Sequence, residues 1–333
     1  MPAFERKLLC FVEKNKEVIF AAVLFVAGLI MRYPLRSLYV PAPGGGMFRW
    51  ASDAACAVSA GYLASKLAEK KERGFITAGL SWCSMAGVFG SVIYGRYESL
   101  CLCFIFMSVL ALHREKESAA CLLLTAASAI SPYSLLILPC IIIRAVREEK
   151  TMLTVLPPAA VTALRCLLPG REPYIPAGFA EKKLYSLNPS FWTIFPENAK
   201  ETVFEQYLPA AFALALTISV IIIAHYARKK NRKTENRYLI LLIPALAAAF
   251  LFPGLDEGAL IVCGGLMLTA MVFSLKLLIP FMLLEAVRLY LLSPALYGEE
   301  LRFVPIQGMS LIICGILIFL IFYEKQLDRK DKV

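Results

Sequence analysis

The sequence predicts an all-α protein, a polytopic integral membrane helix bundle of about twelve transmembrane helices. Composition is the first reason: of 333 residues, 59% are hydrophobic and only 18% are charged, with a mean hydropathy of +0.66. A soluble domain carries about 45–50% apolar and about 25% charged residues. The second reason is that the apolar residues form runs close to the ~20 residues needed to cross a bilayer. Together these observations exclude a disordered chain, a coiled coil and an ordinary soluble enzyme.

The apolar runs are separated by short charged segments, so that residues 1–333 form one predicted membrane domain. Several runs are shorter than a full span, which a tilted, kinked or protein-buried helix tolerates. The two runs on either side of Ser131 and Pro132 are separated only by a tight turn. The predicted spans are 17–31, 50–67, 75–93, 99–112, 118–130, 133–146, 151–169, 207–226, 238–253, 258–275, 277–292 and 305–323.

The positive charges predict the orientation of these spans. With the N-terminus in the cytosol, 24 Lys and Arg residues lie on the cytosolic side and ten on the opposite side. Cytosolic loops of membrane proteins carry such an excess, so we expect a multi-pass cell-membrane protein with both termini cytosolic. The net charge of +10 comes from these loop clusters and from no basic stripe interleaved with aromatics, which argues against nucleic acid as a partner.

The cysteines do not indicate a metal centre or a disulfide framework. The chain has ten cysteines and two histidines, His113 and His225, and every cysteine lies in or beside an apolar run. A zinc site needs clustered ligands, and a disulfide framework needs cysteines in exposed loops. We expect small apolar core residues and no cofactor, with a divalent metal kept as an alternative.

The polar and aromatic residues that could carry chemistry collect on the non-cytosolic face. They lie in the segment 32–49, the turn 94–99, the long non-cytosolic loop 170–206 and the turn 252–258. The cytosolic loops, in contrast, are short and simply charged. We therefore expect the functional site on the non-cytosolic face.

Asp53 is the most informative acid because it lies within the apolar run 50–67. A carboxylate in a span is costly and usually faces a partner or a watery cavity. Two interpretations stay open: a member of a polar site at the outer mouth, or a structural ion pair. Either way we expect a basic partner, namely Arg32, Arg49 or Arg96.

The other charged candidates also have two interpretations each. Glu98 faces a substrate cavity or belongs to a solvated loop. Asp256 and Glu257 are adjacent, so that they do not share a helical face; either one of them points into a cavity, or both belong to a solvated turn. Glu285 and Arg288, at i and i+3, are expected to neutralise each other.

Arginines and aromatics of the same face suit a lipid-linked substrate. Arg32, Arg36 and Arg49 either bind an anionic lipid head group, since guanidinium matches phosphate geometry, or extend to the membrane interface as anchors. The aromatics of the loop 170–206 either lie at the interface or stack on sugar faces.

Three segments resemble the GT-C superfamily of polytopic glycosyltransferases, in particular bacterial mannosyltransferases related to the GPI mannosyltransferase II family. Residues 94–99, YGRYES, resemble that family's W-G-Q-x-D-S turn. Residues 184–195, LYSLNPSFWTIF, resemble its S-x-N-A-P-N-x-W segment. Residues 249–260, AFLFPGLDEGAL, resemble F-L-P-x-M-H-E-R, with Glu257 on the motif's Glu. Asp53 also stands where the family often has an Asp in an early helix.

The resemblance implies transfer of a sugar, such as mannose, from a polyprenyl-phosphate donor to an acceptor on the non-cytosolic face. Asp53 or Glu98 would be the catalytic acid or base. The implied partners are the lipid-linked sugar, membrane lipids and a partner membrane protein. The implied substrate-binding residues are Arg32, Arg36, Tyr94, Arg96, Tyr185, Asn188, Trp192, Asp256 and Glu257.

The chain also departs from the family pattern. Residues 33–49 contain no Asp or Glu, whereas the family carries an acid in its first outer loop that would take the acceptor's proton. Arg96 replaces Gln, Glu98 replaces Asp, Asp256 replaces His and Gly258 replaces Arg. These departures favour weakened or absent catalysis. The alternatives are therefore a non-catalytic subunit that binds a lipid-linked glycan, and a small-solute transporter.

Overall fold

The computed structural model describes residues 3–35, 45–84, 88, 98–147, 155–168, 176, 179, 182, 189–195, 201–228, 234–292 and 303–330. In these ranges the regular structure is helical and contains no strand, which confirms the all-α prediction. The α-helices are α1 (Ala3–Leu35), α2 (Gly45–Leu67), α3 (Lys71–Cys83), α4 (Glu98–His113), α5 (Glu117–Ile130), α6 (Leu138–Arg147), α7 (Leu156–Leu167), α8 (Glu201–Arg228), α9 (Thr234–Leu251), α10 (Glu257–Ala270), α11 (Leu278–Leu291) and α12 (Phe303–Lys330). Short 3-10 helices cover Pro132–Ile137, Phe191–Ile194 and Leu275–Leu277.

Each predicted apolar run overlaps one of these α-helices. The tight turn between α5 and α6 also lies where the sequence places it. Ser131 ends α5, its hydroxyl accepts a hydrogen bond from the Tyr133 backbone N–H, and Pro132 begins the following 3-10 helix. Proline is suited to a first helical position because its missing N–H would have no helical partner there.

Two of the described helices are long and apolar enough to cross a membrane by length and composition. They are Glu205–Arg228 within α8 and Pro305–Leu327 within α12. The other apolar helices are shorter, such as Glu98–His113 and Glu257–Ala270.

The centre of the bundle is formed by α9 and α10. All residues from 238 to 250 are buried, as are all residues from 258 to 270 except Ile261. Helix α10 packs against α2, α3 and α4 as well as against α9 and α11. It therefore joins the helices from the first part of the chain to those from the last part.

The pair α2 and α3 is held close by small residues. An ideal Cβ on Gly61 would lie 2.6 Å from the Gly74 carbonyl oxygen, and one on Gly74 would lie 2.7 Å from the Gly61 carbonyl oxygen. Ala78 and Ser65 stand next to the two glycines across the same contact. Small residues four apart allow such close approach of apolar helices. The antiparallel pairing brings the start of α2 beside the end of α3.

Replacing Gly61 with alanine is expected to destabilise the protein by about 1–3 kcal/mol, because the added methyl meets backbone that cannot rotate away. The matched control is Gly315→Ala in α12, where nothing lies within 4 Å of the added Cβ. There the better helix propensity of alanine should stabilise by up to about 1 kcal/mol. Thermal unfolding in detergent micelles measures both changes. Equal shifts in the two variants would contradict the close contact between α2 and α3.

Candidate functional site

Asp53 lies in a buried ionic centre that joins three helices. One of its carboxylate oxygens, Oδ2, lies 3.1 Å from Arg32 Nη2 near the end of α1. The other, Oδ1, accepts a hydrogen bond of 2.5 Å from the Ser99 hydroxyl in the first turn of α4. The side chains of Arg32 and Asp53 are only 2% and 5% exposed. Arg32 is thus a basic partner of Asp53, as expected.

Arg32 also binds the end of α3. Its Nη1 donates to the Trp82 carbonyl oxygen at 3.0 Å and to the Gly28 carbonyl oxygen at 3.2 Å, and the guanidinium stands 3.8 Å from the centroid of the Trp82 ring. Phe25 stacks on the same indole. The last carbonyls of a helix have no intrahelical donor, and a basic side chain satisfies them well. The resemblance assigned Arg32 to the donor phosphate. In the structure, its guanidinium makes buried contacts within the protein.

A second buried centre lies on α11. Glu285 accepts from Arg288 Nη1 through Oε1 and from the Ser84 hydroxyl, at 2.7 Å, through Oε2. The expected pairing of Glu285 with Arg288 is confirmed. A Cβ on Gly264 would lie 2.7 Å from Arg288 Nη1, so the glycine makes room for the guanidinium against α10. The role of Ser84 was not foreseen, because no local pattern connects residues 84 and 285.

Glu98, the other catalytic candidate, is the first residue of α4 and is half-buried. A negative charge is favourable at a helix N-terminus because the backbone dipoles point their positive end there. The next residue, Ser99, is held by Asp53. Glu98 is therefore a half-buried acid that directly precedes a residue of the Arg32–Asp53–Ser99 centre.

In the turn 252–258, the two neighbouring acids differ in exposure. Asp256 is buried and caps α10: its Oδ1 accepts from the Gly258 backbone N–H at 2.9 Å. Capping of this kind stabilises a helix by about 1 kcal/mol. Glu257 is the first residue of α10 and is half-buried. The turn needs glycine at Gly254, which has a φ of +74° and lies against the Phe179 ring.

Trp192 anchors the described part of the loop 170–206. Its indole N–H donates to the Leu251 carbonyl oxygen at 2.6 Å, and the residue is buried. The Thr193 hydroxyl is hydrogen-bonded to that of Ser310 at 2.9 Å. These contacts hold residues 189–195 against α9 and α12. Phe195, about half exposed, is the aromatic of this segment that reaches the surface.

Five of the residues selected from the sequence lie outside the described ranges, and their positions are not part of the site described above. They are Arg36, Tyr94, Arg96, Tyr185 and Asn188. Arg49, the alternative partner for Asp53, is buried in α2.

No metal site is found among the residues that the structure describes, where no three His, Cys, Asp or Glu side chains could hold an ion. The described cysteines are free thiols, and Cys56, Cys101, Cys140 and Cys263 are buried. The buried four fit the interpretation of cysteine as a small apolar core residue.

Fold and site define an all-helical protein in which one buried carboxylate–arginine centre links α1, α2 and the start of α4 to the end of α3, and a second links α11 to that same end of α3. Neither a family model, nor a curated protein, nor a solved structure matches the chain.

Proposed function

We propose that the chain is a polytopic membrane protein with both termini in the cytosol. The two long apolar helices and the shorter apolar ones support this proposal. So do large apolar side chains that are more than half exposed, such as Val220 and Ile221 on α8, Ile279 on α11 and Leu311 on α12. Large exposed apolar side chains of this kind suit contact with lipid. The distribution of positive charge supports the orientation.

The orientation predicts a labelling pattern. A cysteine introduced at Arg232 should react with a membrane-impermeant maleimide only after the cells are permeabilised, whereas one at Lys183 should react in intact cells. The native chain, treated in the same way, corrects for its own thiols. Labelling of the position-232 variant in intact cells would contradict the orientation and move the proposed site to the cytosolic face.

For the reaction, we propose transfer of a sugar from a polyprenyl-phosphate donor to an acceptor hydroxyl, in a GT-C-like protein. The observation that carries the proposal is the placement of Glu98, a half-buried acid at the start of α4, directly beside the buried Arg32–Asp53–Ser99 centre. This centre fixes the start of α4, while the Glu98 side chain remains partly exposed and can be reached by a substrate. Precise placement of a reacting group is a large part of catalysis.

In the proposed step, the Glu98 carboxylate takes the proton of the acceptor hydroxyl as general base. The acceptor oxygen forms a bond to the anomeric carbon of the donor sugar. The bond between that carbon and the phosphate oxygen breaks, and polyprenyl phosphate leaves with the electron pair. Arg36 and Arg96 are the arginines we propose for the phosphate, because guanidinium matches phosphate geometry.

Glu98 is preferred to Asp53 as the base. Both oxygens of Asp53 accept hydrogen bonds, one of them from a positively charged guanidinium. The Asp53 side chain is also only 5% exposed, whereas Glu98 is half-buried, so that an acceptor hydroxyl reaches Glu98 more readily. We therefore assign Asp53 to holding α4 in place.

The experiment is sugar transfer in purified membranes that contain the protein. Polyprenyl-phosphate mannose is supplied as donor in one reaction, and a nucleotide sugar replaces it in the control. We expect product with the lipid-linked donor alone. Direct use of the nucleotide sugar would contradict the proposed chemistry.

The second candidate is a non-catalytic subunit that binds a lipid-linked glycan and a partner membrane protein. It is favoured by the structural contacts of two candidate acids, because Asp53 is ion-paired with Arg32 and Asp256 caps α10. Its expected result is saturable binding of the labelled donor with no product. The same membranes, tested for binding and for transfer, separate the two candidates.

A further inference from the structure

The two buried centres have the same construction. In each, one carboxylate oxygen is bound by an arginine and the other by a serine hydroxyl: Asp53 with Arg32 and Ser99, and Glu285 with Arg288 and Ser84. Ser84 directly follows α3, and Ser99 lies in the first turn of α4. The two serines therefore stand on either side of the connection between α3 and α4.

The centres also meet on the last residues of α3. Arg32 donates to the Trp82 carbonyl oxygen, two residues before Ser84. One guanidinium thus contacts both the end of α3 and the carboxylate that holds the start of α4. Arg288 lies against α10 at Gly264, so the second centre ties the end of α3 to the most buried helices.

Stability alone is a poor explanation for two such centres. Well-packed apolar residues in place of a buried ion pair are often neutral or stabilising. Ionisable side chains kept inside membrane helices usually mark function. The two centres also fix the distance between the end of α3 and the start of α4.

We propose that Ser84, Glu285 and Arg288 are positioning residues, which together with the Arg32–Asp53–Ser99 centre set the end of α3 relative to the start of α4. Their consequence for the reaction rests on the proposed function, since the start of α4 carries Glu98. They contact neither donor nor acceptor, and they act on the rate through the position of Glu98.

The first test is the double variant Glu285→Leu with Arg288→Met, which removes both charges together. Thermal unfolding in detergent should show a midpoint no lower than that of the native protein. The kcat for sugar transfer should fall by up to about 10²-fold, as expected for a displaced catalytic group, while the KM for the donor stays unchanged. Unchanged kcat in this folded variant would overturn the proposal.

A milder pair of variants covers the case in which the double variant does not fold. Ser84→Ala removes a hydroxyl that donates to a buried glutamate, and Ser84→Thr retains it. Tyr226→Phe is the matched control, because the Tyr226 hydroxyl donates at 3.4 Å to the buried Glu324, between α8 and α12. We expect lower kcat for Ser84→Ala, rescue by threonine and no change for Tyr226→Phe. Equal losses in Ser84→Ala and Tyr226→Phe would overturn the proposal.

A readout without activity separates this proposal from the proposed function. Amide hydrogen exchange at residues 82–84 and 98–102 should rise about tenfold in Ser84→Ala, as expected for loss of one hydrogen bond to a charged group, with exchange in α9 unchanged. If the native protein transfers no sugar, the proposed function fails. The exchange result still decides whether Ser84 positions the end of α3 and the start of α4. Unchanged exchange at both helix ends would refute the positioning role.

Discussion

Replacement of Glu98 by glutamine is expected to lower sugar transfer by about 10²–10⁴-fold, the usual contribution of a positioned general base. The amide keeps the size and the hydrogen-bonding reach of the side chain but cannot take the acceptor's proton. Binding of the lipid-linked donor should be retained, because Glu98 is assigned to the acceptor. The measurement is initial rates of transfer in membranes matched for protein content.

Glu117→Gln is the matched control for this variant. Glu117 is also a half-buried acid in the first turn of a helix, α5, and it follows the end of α4, whereas Glu98 stands at its start. Its replacement should leave transfer unchanged. Transfer that survived Glu98→Gln, and survived it again in combination with Asp53→Asn, would refute the choice of these acids.

Arg32→Met is the change with the largest expected effect on stability. It removes the Arg32 charge that pairs with the buried Asp53 carboxylate, and breaking a buried ion pair from one side costs about 3–5 kcal/mol. It also removes the donors to the carbonyl oxygens of Gly28 and Trp82. The loss should appear as a lower unfolding midpoint in detergent and as a reduced yield of folded protein.

The double variant Arg32→Met with Asp53→Leu tests the origin of that loss. Because both charges are gone, stability should return most of the way towards that of the native protein. The difference between the double variant and the sum of the single ones gives the coupling between the two side chains. Purely additive effects would show that Arg32 and Asp53 do not act as a pair.

The helices could be predicted from the sequence because apolarity and its interruption are local properties of a chain. The turn at Ser131 and Pro132 was predicted for the same reason. Several boundaries differ: α1 begins at Ala3 and α12 ends at Lys330, outside the predicted runs 17–31 and 305–323, and α3 begins at Lys71, before the run 75–93. Charged residues lengthen these helices at those ends without contributing to the apolar runs.

The site was only partly predictable. Asp53 is conspicuous because a carboxylate in an apolar run needs a partner, and Glu285 and Arg288 pair within one helix. The serines that complete both centres are joined to their carboxylates only by the fold, with Ser84 and Glu285 separated by 201 positions. Likewise, the cap formed by Asp256 depends on where α10 begins.

The place of α10 in the bundle bears on the order in which the chain can assemble during its synthesis. Helices α2, α3 and α4 are synthesised before α10, which packs against all three of them. The surfaces that α10 covers therefore stay uncovered while α5 to α9 are synthesised. When α10 has been made, Gly265 packs closely against Leu102 and Phe106 of α4. Arg288 arrives later still and closes over Gly264. A nascent chain that stops before α10 would thus expose to proteases the surfaces of α2, α3 and α4 that α10 covers in the complete fold.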